Sequence, residues 1–200
     1  MWSLADCRNV FLAVGLMGVM VFSVPSAMVF VRLPGGERCS ELSVLGPGRM
    51  AEGYPFNVGE NESYMVYLGV GNDLGSSAYY VVYVKFRNQT EPSPNATAGV
   101  PSSLPPMYEY HVFLEDGESW EQPLTFSFFQ VSVAQNRSVV GGLSVDGVTL
   151  GVNRPGVWDD ENKGYFYELF MELWVYGVAS DAFQFHNRFV GLWVNMTAAS

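Results

Sequence analysis

The sequence predicts a mainly β protein: an antiparallel, immunoglobulin-like β-sandwich preceded by a single transmembrane α-helix. Three observations lead there. Residues 10–31 form one apolar block without a charged side chain. From Glu41 onward, apolar runs of strand length alternate with Gly, Pro, Asn and Asp turn signals. Aromatic residues make up 15% of the chain, and such side chains favour half-buried strands over helices. The resulting division is a short cytoplasmic N-terminus (1–9), an anchor (10–32), a linker (33–40) and an extracytoplasmic domain (41–200).

The anchor follows from length. The 22 residues from Val10 to Val31 would span about 33 Å as a helix, against a hydrocarbon core of about 30 Å. A cleaved signal peptide usually has an apolar core of only ~7–15 residues before a small-x-small site. Here Val24-Pro25-Ser26-Ala27 places Pro at the −3 position, with more apolar residues beyond. Basic residues do not orient the helix, because Arg8 precedes it while Arg32, Arg38 and Arg49 follow. Sequons orient it instead. N-x-S/T triplets occur at Asn61, Asn88, Asn95, Asn136 and Asn195, none with a central Pro, where the composition would give about 1.3 by chance. These five are the expected glycosylation sites. They place the large domain outside the cell, with the anchor in the cell membrane.

The strands come in order. Glu41 to Leu45 is ended by Gly46-Pro47-Gly48, and Tyr64 to Val70 by Gly71-Asn72-Asp73. Ala78 to Arg87 alternates, with Tyr80, Val82, Val84 and Phe86 on one face and Lys85 and Arg87 on the other. Gln89 to Pro106 holds five prolines and cannot keep a ladder, so it reads as a long exposed loop. Tyr108 to Leu114 follows, then an acidic turn at residues 115–118. Leu124, Phe126 and Phe128 alternate before the apolar parity moves to Phe129, Val131 and Val133, which predicts a bulge between Phe128 and Phe129. Asp146-Gly147 is a hairpin turn within Val139 to Val152. Tyr165 to Tyr176 fits a helical face as well as a strand, and its aromatic content favours strand. Phe189 to Met196 is the last strand, giving seven or eight in all.

Charge and cysteine exclude some functions. The net charge is -10, and a nucleic-acid partner would require a basic patch. Cys7 and Cys39 flank the anchor on opposite sides and belong to no metal-ligand spacing. His111 and His186 are the only histidines and stand alone, so both are expected to be structural. No G-x-S-x-G elbow occurs. The run Asp159-Asp160-Glu161-Asn162 lacks the D-x-D-x-D-G loop of a calcium site and reads as a solvated turn. Trp120, Trp174 and Trp193 are expected in core or rim packing, with stacking on sugar rings as the other use of such residues.

Several short matches in order resemble a known family. They are Leu45-Gly46-Pro47-Gly48, Ala51-Glu52, Tyr54-Pro55, Val58-Gly59-Glu60, Gly69-Val70-Gly71-Asn72, the Tyr-rich strand from Tyr79, the set Trp120, Glu121, Pro123 and Phe126, and Leu192-Trp193-Val194. Together they resemble the domain of unknown function 1616 family of archaeal predicted membrane proteins. Against that pattern, residues 134–164 look inserted, and one membrane helix stands where many relatives have several. The resemblance implies a membrane-tethered domain facing outward and implies no activity.

The expected function is a non-catalytic interaction or structural module, an accessory subunit binding a protein partner or envelope glycan. Other membrane or envelope proteins, and the bilayer through residues 10–32, are the expected partners. No cofactor or metal is expected. The alternative is an outer-face hydrolase, or a catalytic accessory using acidic surface residues.

Overall fold

The computed structural model describes residues 38–197. The expected cytoplasmic segment, the membrane helix and most of the linker lie outside the described residues. Within the described part no helix is long and apolar enough to cross a membrane.

The described chain is built of strands: β1 (Cys39–Leu45), β2 (Asn57–Val58), β3 (Ser63–Asp73), β4 (Ala78–Asn88), β5 (Tyr108–Leu114), β6 (Glu118–Ala134), β7 (Arg137–Val145), β8 (Val148–Val157), β9 (Phe166–Gly177) and β10 (Ala182–Met196). They form two five-stranded sheets, ordered β1-β3-β6-β7-β8 and β2-β10-β9-β4-β5. All pairings are antiparallel except the short β2–β10 contact, which is parallel. Both sheets give one face to a single core, where Val66, Leu68, Leu124, Phe126 and Phe128 meet Tyr80, Val82, Val84, Leu169 and Met171. Phe86 stacks on Tyr167 at 5.4 Å between ring centroids. The Tyr80 hydroxyl lies 2.7 Å from Ser40 Oγ and donates to Asn72 Oδ1, so this buried hydroxyl is satisfied from the opposite sheet.

The segment that looks inserted is the β7–β8 hairpin with the turn after it, and it extends the first sheet outward beyond β6. The bulge falls elsewhere than predicted. The β6–β7 register runs unbroken past Phe128 and Phe129. Parity changes at Gln130, which takes the left-handed conformation (φ 54), while the register shift lies between β7 and β8. There Val152 and Asn153 face the single Gly141, and Asn153 also has positive φ. A second, two-residue irregularity in β10 at His186 and Asn187 lies opposite β9.

One expectation about solvent needs correcting. Lys85 and Arg87 do lie on the face of β4 away from the core, yet both are buried. The loop after β4 folds back across this outer face, and Ser102 at its middle is buried too. Lys85 Nζ sits 2.8 Å from Glu172 of β9, with side chains only 3% and 0% exposed. Arg87 pairs with Glu168. The Ser102 carbonyl accepts from Lys85 and its N–H donates to Glu172. Proline-rich sequence kept this segment out of the ladders without keeping it off the protein.

Candidate functional site

Pairing register sets the site. On the outer face of the second sheet, Arg87 of β4, Glu168 of β9 and Trp193 of β10 lie side by side. Arg87 is held by Glu168 and by the Glu91 carbonyl. Its guanidinium carbon lies 4.8 Å from the centre of the Trp193 ring, a cation–π contact that fixes the indole from one side. Trp193 is nevertheless 38% exposed. It faces outward and does not pack in the inter-sheet core, which leaves the rim as the one of its two expected placements that remains.

Beside Trp193 opens a cavity of about 510 Å³, lined by Phe56, Gln89, Asp159, Asn162, Phe166 and Trp193. Phe56 and Phe166 are 6.0 Å apart between centroids, forming an aromatic wall. The polar wall comes from the acidic run, which is a tight turn. Asp159 Oδ1 accepts the backbone N–H groups of Glu161 and Asn162. Its Oδ2 accepts the side-chain amides of Asn162 and Gln89. These bonds, the Asn162 amide foremost, hold the Asp159 carboxyl below its ordinary range. Asp159 is therefore ionised at neutral pH, and the Gln89 and Asn162 amides it orients both line the cavity. Among the described lining residues Asp159 is the one carboxylate, and no cationic side chain lines the cavity.

The opposite end of the same face carries a second aromatic group. Tyr79 stacks near His111 and Phe183 at 5.8 and 5.2 Å, and Phe113 beside them is 65% exposed. His111 Nδ1 bonds the Tyr79 hydroxyl. His186 is half-buried against Tyr80. Among the described residues no group of three or more metal-ligating side chains comes together.

The five sequons differ in setting. Asn61 and Asn136 are exposed, each in a turn with positive φ, and Asn95 is exposed in the long loop. Asn88 is buried, donates to the Pro155 carbonyl, and accepts from Thr90 and Glu91. Asn195 is half-buried between the Tyr165 N–H and Asn57.

The family model described as Domain of unknown function (DUF1616) matches residues 33–137, just over half of the chain. The chain belongs to this family. The match ends before β8, β9 and β10, so in this DUF1616 chain Trp193 and most of its groove lie beyond the matched span. No curated protein matches the DUF1616 chain. Among solved structures, the β-glucosidase from Listeria innocua in complex with gluconolactone is 14% identical, with a TM-score of 0.35 over 80% of this chain. The same enzyme in complex with isofagomine is 10% identical, with a TM-score of 0.34 over 82% of this chain. The DUF1616 chain spans only 16% of those enzymes' length. Likeness at this level carries no inference about fold or activity.

Sequence reasoning singled out Trp193 and the run from Asp159 separately and did not bring them together. It missed Phe56, Gln89 and Phe166, which meet through the β2–β10, β9–β10 and β4–β9 pairings. The alternation of Trp193 with Leu192 and Val194, both buried, was the available signal that the indole points the other way.

Proposed function

We propose that this chain is a non-catalytic glycan-binding module held at the outer face of a membrane by residues 10–32, acting as an accessory subunit. The observation that carries it is Trp193, an indole fixed from beneath by Arg87 and open beside a cavity walled by aromatic rings and amides. Sugar rings present apolar C–H faces that stack on aromatics and hydroxyls that bond amides and carboxylates. A cavity whose described lining residues include no cation and one ionised carboxylate favours an uncharged ligand over phosphate or sulfate. A glycoside hydrolase needs two facing carboxyl groups, and the single ionised Asp159 fits ligand orientation better. With β2 and the β7–β8 hairpin set aside, the strand orders β1-β3-β6 and β10-β9-β4-β5 fit an immunoglobulin-like sandwich.

The test is a glycan array probed with the full chain in nanodiscs, alongside Trp193→Ala. Binding to neutral glycans that is lost in the variant supports the reading. No neutral glycan bound above background, or equal binding by the variant, overturns it.

A further inference from the structure

We propose that the ligand of the Trp193 groove is an oligosaccharide of at least two rings, crossing β10 at Trp193 with one ring in each of the two spaces that border the indole, on the part of it that Arg87 leaves open. This rests on the glycan-binding reading and adds a second subsite to it.

The second subsite is a cavity of about 340 Å³ lined by Val44, Tyr54, Val190, Gly191, Leu192 and Trp193. Trp193 borders both cavities, so the indole is the shared wall of two spaces. Each lies within the range of about 300–1,000 Å³ usual for small-ligand sites.

The floor of this second space is a strand edge. β2 covers β10 only at Asn195 and Met196. Asn195 N–H donates to the Phe56 carbonyl and Thr197 N–H to the Val58 carbonyl, away from β9, while Met196 N–H donates to Tyr165 on the β9 side. Peptide groups alternate along a strand, and the register with β9 is unbroken from Arg188 to Asn195. Gly191 and Trp193 therefore aim their N–H and C=O groups at the edge that β2 leaves uncovered. Such groups require a partner in water or in a ligand. Sugar hydroxyls, which donate and accept, suit both kinds of group.

Two side-chain features shape the space. Tyr54 donates its hydroxyl to the Val44 carbonyl at 2.9 Å, which pins the ring while leaving the residue 37% exposed. Gly191 has no side chain, and a Cβ there would strike the Glu168 carboxylate. Only glycine keeps the Arg87–Glu168 pair in place at this crossing. The second subsite thus offers one aromatic ring and backbone polar groups, complementing the amides of the first.

The experiment is calorimetry on the full chain in nanodiscs with homo-oligomers of glucose, mannose, galactose and N-acetylglucosamine, one to four rings long. For the sugar that binds, affinity should rise at least tenfold from one ring to two and level off by three. Tyr54→Ala should erase that step, and Tyr54→Phe should retain it. Equal affinity for one and two rings, with both lost in Trp193→Ala, overturns the second subsite and leaves the glycan reading standing. Weakening of one and two rings alike by Tyr54→Ala also overturns it. Absence of binding by every oligomer overturns the glycan reading and the subsite together. The length dependence of the unaltered chain decides without recourse to a variant.

Discussion

Arg87 bridges Glu168 and Trp193: its Nε bonds the carboxylate while its guanidinium carbon lies 4.8 Å from the indole centre. One buried cation therefore serves two ends, a desolvated ion pair within the sheet and a ring presented to solvent. The surface site inherits its rigidity from the buried pair.

Trp193→Ala should lower stability by about 1–2 kcal/mol, the value of a partly desolvated cation–π contact plus limited packing. Phe86→Ala, which removes a fully buried ring stacked on Tyr167, should cost about 3–5 kcal/mol. Urea titration of both variants checks the order. A Trp193→Ala loss as large as that of Phe86→Ala would return the indole to the core.

Lys85 and Glu172 should behave as a buried pair whose halves depend on each other. Lys85→Met alone leaves Glu172 uncompensated and should destabilise by about 3–5 kcal/mol, whereas Lys85→Met with Glu172→Leu should recover most of that loss. A double-mutant cycle measures the difference. Additive losses would mean that the pair is not coupled.

His186 gives the fold a pH dependence of known sign. Burial first, and Arg188 second, lower its pKa in the folded chain, while the unfolded value is about 6.5. Below that value the unfolded chain binds more protons than the folded one, so stability is full above about pH 6.5 and falls as pH drops through the lowered pKa. His186→Gln should flatten the slope of stability against pH in this window relative to the parent. Identical slopes would remove His186 as its source.

Glycan occupancy should follow exposure. Asn61, Asn95 and Asn136 are predicted to be modified in the native host and Asn88 to be bare, because a glycan on Asn88 would attach at the buried Nδ2 that donates to the Pro155 carbonyl. Site-resolved mass spectrometry of membrane-derived protein is the measurement. All sites bare would remove the support for an outward-facing domain, and a fully occupied Asn88 would break the link with burial.

Strands with one wet face were legible. Tyr108 to Leu114 appears with the expected bounds, and β4 differs by one residue, because alternation survives where one side meets water. Phe166 to Gly177 was ambiguous because the long loop buries the outer face as the core buries the inner one, so Glu168 and Glu172 no longer mark a solvent side. β2, two residues long, has no period to read. The groove was illegible for a different reason: Phe56, Gln89, Asp159 and Trp193 are scattered over 138 positions and are joined only by pairing. Local pattern predicts which face a residue takes, and register decides which distant residue shares it.

The pairing of β4 with β9 also sets a schedule for synthesis. Arg87 and Glu168 are 81 residues apart, so at about 5–20 residues per second β4 leaves the ribosome some 4–16 s before its central partner exists. β5 follows soon enough to shield one edge of β4. The other edge, with Val81, Lys85 and Arg87 still lacking their neighbours, waits open to any passing strand. The hazardous state of this protein is thus a half-translated one, and a nascent-chain holdase acting between the emergence of β5 and β9 would protect it more than any repair of the finished fold.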